Sequence, residues 1–217
     1  MQKKSATDLE IFFSKYKNIS YKKRQIIIRA GDNPLGVFFI KKGYARRYNL
    51  SKEGKELTTT IYKPLDIFSL AWAINNSQIK YFVESITPVE VYRAPKNEFL
   101  QYIINQPGAS IKLISRLLNR LNAFSQRMEN FVFGGAGEKL ASTLLILAKR
   151  FGKKMNSGVC IIIPLTHKDI ASLLGMARET VSIEMKKLEN KKIFSYSNHR
   201  IVIKNMARLK KESSFSS

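Results

Sequence analysis

Three polar side chains, Arg178, Glu179 and Thr180, stand together in the chain, and Ser182 follows two positions later. Arginine can donate two parallel hydrogen bonds to O6 and N7 of guanine, and glutamate can accept one from the amino group of cytosine. A helix that lies in the major groove presents the residues of its first turns to the base edges. These four residues are therefore predicted to read bases.

Side chains that can bind phosphate oxygens flank this segment, and such contacts position a protein on DNA without reading its sequence. They are Thr166, His167, Lys168, Lys186, Lys187, Lys191, Lys192, His199 and Arg200. The formal net charge of +22 favours polyanionic partners, nucleic acid first and an anionic membrane surface second. A lysine-rich composition alone would also give this charge.

Two short helices must position these residues. Apolar residues at helical spacing mark both helices, and Gly175 separates them in a turn that needs a left-handed residue. The apolar positions are Ile170, Leu173, Leu174, Val181, Met185 and Leu188. Residues 193–205 then predict two strands around a turn at 197–199. This order is typical of a winged helix-turn-helix, and the alternative is an ordinary helical hairpin with a solvated polar face.

A second helical pattern precedes this unit. Its apolar residues are spaced alternately by three and four, as in the seam of a coiled coil: Ile114, Leu117, Leu121, Phe124, Met128 and Phe131. A seam this narrow predicts self-association, although packing on the chain's own barrel is the alternative. The glycines that follow, Gly134, Gly135 and Gly137, predict a flexible hinge and a domain boundary.

Residues 21–93 carry short β-branched and aromatic runs separated by glycines, which predicts a small barrel or sandwich after a helix at 5–18. With the single cysteine Cys160, one chain cannot form a disulfide or a cysteine-ligated iron–sulfur or zinc site. No run approaches the length of a membrane span, so a cytoplasmic protein without a membrane partner is expected.

Two stretches carry a resemblance to a known family: IASLLGMARETVS at 170–182 and GDNPLGVFFIKKGYARRY at 31–48. The chain resembles, over nearly its whole length, the CRP/FNR family of bacterial transcription regulators. The resemblance implies an α+β fold with a jelly-roll-like antiparallel β-roll sensor domain at 1–106, a dimerisation helix at 107–133 and a winged helix-turn-helix domain at 134–217. It also implies a homodimer, a palindromic operator in double-stranded DNA and contact with RNA polymerase.

Three positions depart from the family pattern. Ile183 stands where the family usually has an arginine that reads guanine, and Glu184 stands where an apolar residue usually packs inward. Isoleucine can contact the methyl group of thymine but cannot bind guanine, so Ile183 joins the predicted base-reading residues with a changed preference. Ala177 stands where a serine or threonine often caps the helix.

The resemblance suggests three kinds of signal molecule or cofactor, and the residues that would bind each of them are absent from this sequence. Cyclic nucleotide needs a Gly-Glu pair and an Arg-Ser-Ala run, but 68–70 read Phe-Ser-Leu and 81–83 read Tyr-Phe-Val. A phosphate there would be uncompensated. An iron–sulfur cluster needs four cysteines, and haem needs a histidine or cysteine in the sensor half, so no cofactor is expected. An apolar effector pocket or an ordinary core remains, formed by Tyr62, Phe68, Leu70, Trp72, Tyr81 and Phe82.

Two other functions compete with sequence-specific regulation. A cupin-like enzyme would need a histidine-rich metal set, and no histidine lies before His167, so no enzyme is expected. A non-specific DNA-binding protein would fit the charge, but Glu179 would weaken DNA binding unless it reads a base.

Overall fold

The computed structural model describes residues 7–198 and 200–213 and divides them into two compact units. The first unit holds 7–55 and 59–120, and the second holds 56–58 and the residues from 121 onward. Within the described ranges no helix is long and apolar enough to cross a membrane.

Antiparallel strands form the body of the N-terminal part. They are β1 (Asn18–Tyr21), β2 (Ile26–Ile28), β3 (Val37–Lys42), β4 (Ala45–Leu50), β5 (Glu56–Tyr62), β6 (Ile67–Phe68), β7 (Phe82–Ser85) and β8 (Val89–Ala94). The strands make two four-stranded sheets in the orders β1-β8-β3-β6 and β2-β7-β4-β5. This arrangement confirms the expected antiparallel β domain.

Four helices accompany the strands: α1 (Asp8–Ser14), α2 (Leu70–Asn75), α3 (Lys96–Asn105) and α4 (Pro107–Phe133). One apolar cluster fills the interior of the sheets, where the rings of Phe38 and Phe68 stack with centroids 4.8 Å apart. A second cluster packs α1, α3 and the start of α4 on β3, with Phe13 stacked on Phe39 at 5.0 Å. Burial of these large rings stabilises this unit.

The second unit consists of helices and one small sheet. After the end of α4, its elements are α5 (Ala136–Phe151), β9 (Gly152–Met155), β10 (Gly158–Ile161), α6 (His167–Leu174), α7 (Arg178–Asn190), β11 (Phe194–Ser197), β12 (Arg200–Ile203) and α8 (Met206–Lys211). The sheet order is β11-β12-β10-β9. The predicted helix pair and the hairpin behind it are confirmed, and β11 with β12 is called the wing below.

Gly175 closes α6 in the left-handed conformation, with φ of 60°, as predicted for the turn. An L-residue pays a steric penalty there, so Gly175→Ala should lower the free energy of unfolding by about 1 kcal/mol. Urea unfolding would measure the loss. Gly108 is the matched control because it lies near the start of α4 with open space around its Cα. Gly108→Ala should leave stability unchanged or raise it, and an equal loss in both variants would contradict the explanation.

Candidate nucleic-acid interface

The outward face of α7 carries the predicted base-reading residues. Val181, Met185 and Leu188 are buried at 0%, 1% and 3% exposure. The same helix leaves Arg178 and Glu179 exposed, and it exposes 58% of Ile183. Thr180 and Ser182 are half-buried beside them. The structure therefore brings all five predicted residues onto the first two turns of one helix.

The start of α7 has no side-chain cap, because Ala177 occupies the N-cap position. The start of α6 is capped instead by Thr166 and Asp169. Thr166 Oγ1 accepts a hydrogen bond from the backbone N–H of Asp169 at 3.2 Å, and Asp169 Oδ2 accepts one from the backbone N–H of Thr166 at 2.8 Å. Thr166, which is predicted to bind phosphate, therefore also caps the start of α6.

His167 begins α6 and is bonded through both ring nitrogens. Its Nδ1 lies 2.8 Å from Oγ of Ser182 on α7, and its Nε2 lies 2.7 Å from the hydroxyl of Tyr196 on the wing. Burial, and to a smaller extent the Glu189 carboxylate, raises the pKa of Tyr196. Tyr196 was missed by sequence reasoning because nothing in the local pattern marks a contact 29 residues away.

The predicted phosphate-binding lysines lie on exposed surface, three of them in ion pairs: Lys186 with Glu189 at 3.1 Å, Lys187 with Glu184 at 2.7 Å and Lys191 with Glu212 at 2.7 Å. Such surface pairs contribute little to stability and can exchange for other anions. Lys168, Lys192 and Arg200 are also exposed. His199 lies outside the described residues.

Glu184 points inward, as the family's apolar residue does, and its carboxylate lies beside Gly137 and pairs with Lys187. Its side chain is 15% exposed, and its Oε2 would lie 3.0 Å from a Cβ placed on Gly137. The carboxylate therefore lies against the first turn of α5, where free N–H groups and the helix dipole favour a negative charge. Gly137 leaves room for this contact.

The α4 helix exposes most of the predicted seam: Ile114 at 55%, Leu117 at 39%, Leu121 at 58%, Phe124 at 51% and Met128 at 48%. Phe131 differs, because it is half-buried with Arg127 5.3 Å and Lys139 5.9 Å from its ring centroid. Further apolar residues widen the stripe: Ile111, Leu118, Val132 and Phe133. A second heptad frame through 111, 114, 118, 121, 128 and 132 would have found most of them.

Of the three predicted hinge glycines, Gly134 and Gly135 lie between two helices and Gly137 is the second residue of the second one. α4 ends at Phe133 and α5 begins at Ala136, so the break between the helices falls within the predicted glycine run. Glu138 accepts a hydrogen bond from the backbone N–H of Gly135 at 2.8 Å and so caps the new helix.

The predicted effector residues divide into three groups. Tyr62, Phe68 and Tyr81 are buried together in the core of the roll, with Trp72 packed against them. Leu70 belongs to the neighbouring cluster under the helices. Phe82 stacks on Tyr48 with centroids 5.2 Å apart. Three of the six residues therefore belong to the core of the roll, and the contact of any of the six with an effector stays a prediction.

Arg47 was missed by the sequence reasoning. Its guanidinium carbon lies 4.0 Å from the Tyr81 ring centroid, and its Nε is buried without a hydrogen-bond partner. Burial raises the pKa of Tyr62, while the positive charges of Arg47 and Arg120 act against the rise. Side chains alternate between the two faces of a strand, so an inward-facing Ala45 could have predicted that Arg47, two residues later, also points inward.

Among the described residues no three acidic, histidine or cysteine side chains form a group that could hold a metal.

Comparison with known proteins finds similarity along nearly the whole chain. A model named "Cyclic nucleotide-binding domain" matches 18–106, and a "Crp-like helix-turn-helix domain" matches 138–212. The global nitrogen regulator of Nostoc is 27% identical over 186 residues, covering 85% of this chain and 83% of that protein. The cAMP-activated global transcriptional regulator CRP of Pasteurella multocida is 27% identical over 196 residues, covering 90% and 93%.

Solved structures share the fold. FixK2 from Bradyrhizobium japonicum superposes with a TM-score of 0.81 at 22% identity, covering 93% of this chain and 98% of that one. A CooA mutant from Carboxydothermus hydrogenoformans gives a TM-score of 0.78 at 24% identity, covering 93% and 89%.

The cap at the start of α6 makes a stability prediction. Thr166→Ala should lower the free energy of unfolding by about 1 kcal/mol, because the N-cap oxygen is lost. Thr166→Ser keeps that oxygen and should retain most of the stability. Urea unfolding of the free protein would measure both. If Thr166→Ala were as stable as the unaltered protein, Thr166 would have no capping role.

Proposed function

The chain belongs to the CRP/FNR family of bacterial transcription regulators, and we propose from that premise that it is a homodimeric, sequence-specific DNA-binding regulator. The observation that carries the proposal is the face of α7, which buries Val181, Met185 and Leu188 and exposes Arg178, Glu179 and Ile183. A helix held in this way can lay its outer face in the major groove.

Each residue of this face has a proposed role in base reading. Arg178 donates to guanine, and Glu179 accepts from a cytosine amino group. Thr180 and Ser182 line the same groove, and Ile183 contacts a thymine methyl group. Because Ile183 replaces an arginine, the half-site should differ from the guanine-containing site that the family usually reads at this position.

The phosphate contacts are proposed to surround this face on α6, α7 and the wing. The residues are Thr166, Lys168, Lys186, Lys187, Lys191, Lys192 and Arg200, together with His199, which lies outside the described residues. The predicted His167 differs from them, because both of its ring nitrogens already contact Ser182 and Tyr196. Since Ala177 provides no side-chain cap, the first N–H groups of α7 can also donate to a phosphate.

The exposed stripe on α4 is proposed as the dimer contact, with Ile114, Leu117, Leu121, Phe124 and Met128 at its centre and Phe131 at its edge. Monomeric proteins rarely expose so continuous an apolar surface. The domain division follows as 1–106, 107–133 and 134–217, with Gly134, Gly135 and Gly137 as the hinge. The dimer places two copies of α7 on a palindromic operator, and RNA polymerase is the further partner expected of a cytoplasmic regulator.

The sensor roll is proposed to be degenerate and not to bind cyclic nucleotide. Ser69 and Leu70 provide no carboxylate for a ribose, and the buried carboxylate of Glu84 is already paired with Arg46 at 2.6 Å. The side chains of Tyr62, Phe68 and Tyr81 take up the interior of the roll. The relatives are regulators rather than enzymes, and no enzymatic activity is proposed.

Substitutions of base-reading and of phosphate-binding residues should change DNA binding in different ways. Arg178→Ala should weaken binding to the selected operator by about 1–3 kcal/mol and relax the preference at one position, because a bidentate contact is lost. Lys187→Ala should weaken binding to all DNA alike and make the salt dependence shallower by about one. Fluorescence anisotropy on operator and scrambled duplexes measures both. Equal losses on both duplexes for both variants would contradict the assignment.

The dimer contact can be tested on α4. Leu121→Asp places a charge in the centre of the stripe and should convert a dimer into a monomer of 24.9 kDa in light scattering. Asn119→Asp is the matched control, because Asn119 is exposed about 140° around the helix from Ile114. It should leave the dimer intact. A Leu121→Asp protein that stayed dimeric would locate the interface elsewhere.

Cyclic AMP should not stabilise the protein. At about 100 times a dissociation constant, a ligand of the folded state adds about 2.7 kcal/mol, which thermal unfolding resolves easily. No shift is expected at about 1 mM cyclic AMP, with 5′-AMP as the control for unspecific anion binding to this basic chain. A rise in melting temperature with cyclic AMP alone would contradict the degenerate sensor.

A further inference from the structure

His167 joins three elements of the second unit. It is the first residue of α6, its Nδ1 lies 2.8 Å from Ser182 on α7, and its Nε2 lies 2.7 Å from Tyr196 on β11. The side chain is half-buried, whereas the neighbouring Lys168 is exposed. A single imidazole ring therefore connects the helix that is proposed to read bases with the wing.

Tyr196, His167 and Ser182 form a chain of hydrogen bonds, and their partners indicate which atom donates in each bond. Ser182 Oγ donates to the backbone carbonyl of Arg178 at 3.0 Å, and while its one proton is used in that bond it accepts from His167 Nδ1. In a neutral imidazole one nitrogen donates and the other accepts. With Nδ1 donating to Ser182, Nε2 accepts from the hydroxyl of Tyr196. The chain thus runs from Tyr196 through His167 and Ser182 to the carbonyl of Arg178.

The wing end of this chain is anchored. Tyr196 packs edge-on against Phe194 with ring centroids 5.4 Å apart, and Phe194 is 1% exposed. A tyrosine hydroxyl keeps its proton at neutral pH and can donate, and burial raises the pKa of Tyr196 further in the same direction. The other end of the chain is the first residue of α7, whose side chain is proposed to read guanine.

We propose that His167 is a positioning residue that fixes the wing against the base-reading end of α7, and that it does not donate to a phosphate in this state. The inference rests on the proposed function and refines it, because both ring nitrogens are already used inside the protein. A phosphate could accept a hydrogen bond from His167 only if one of these two bonds broke. Operator preference should therefore depend on the chain Tyr196–His167–Ser182 as a unit.

The first test uses the free protein. Tyr196→Phe removes only the hydroxyl, and it should reduce the folding equilibrium constant about fivefold in an otherwise unaltered protein, as expected for one hydrogen bond. In a His167→Ala background the same change should have no effect, because its partner is gone. Urea unfolding of the two single variants and the double variant measures this coupling. Additive effects would overturn the link.

The second test uses DNA. His167→Ala and Tyr196→Phe should each reduce the preference for the selected operator over a scrambled duplex about fivefold, with an unchanged salt dependence, and the double variant should lose no more than His167→Ala alone. Lys168→Ala is the matched control and should weaken both duplexes alike with a shallower salt dependence. His167→Arg introduces a cation that has no accepting nitrogen, and it should behave like His167→Ala.

A phosphate contact would give the opposite pattern. His167→Arg would then bind both duplexes as well as the unaltered protein, and His167→Ala would flatten the salt dependence, which would overturn the positioning role. An unaltered protein with no preference for any operator would contradict the proposed function itself and the specificity that His167 is said to support. The unfolding cycle, which needs no DNA, would then still decide whether the link exists.

Discussion

The burial of Val181, Met185 and Leu188 is the constraint on which the DNA-facing surface depends. These side chains are at most 3% exposed, and at 3.6 residues per turn their burial fixes which residues of α7 can face outward. Glu179 and Ile183 then lie on the free face, about 160° and 200° around the helix from Val181, whereas Arg178 lies on the side of Met185 and is exposed as the first residue of α7. A helix rotated by one residue would bury a charged side chain and expose an apolar one, at a cost of several kcal/mol.

Contacts within the protein explain how α7 accommodates Glu184, which departs from the family pattern. Glu184 replaces an apolar residue and still points inward, because Gly137 in the first turn of α5 leaves space for its carboxylate and Lys187 pairs with it at 2.7 Å. Ser182 accepts from His167 and so ties the same helix to the wing. The base-reading end of α7 is therefore held by a polar contact through Ser182 in addition to its buried apolar face.

Elements with strong periodicity could be predicted from the sequence, and so could positions with one strict backbone requirement. The helix pair, the wing, the seam on α4 and the left-handed Gly175 belong to this group. Short elements could not, because β6 and α2 lie in a stretch of 66–75 with too few residues to show a period. Contacts between distant residues were also missed, such as Arg47 on Tyr81 and His167 on Tyr196, because they depend on packing that no local pattern records.

Site selection from random duplex DNA with the purified protein and no added ligand tests the central claim most directly. We expect enrichment of a palindrome whose half-sites are about one helical turn, 10–10.5 base pairs, apart and whose base opposite Ile183 is not a required guanine. Such a result would establish a dimeric, specific regulator that needs no effector. Recovery of unrelated sequences, with binding governed only by salt, would contradict the account.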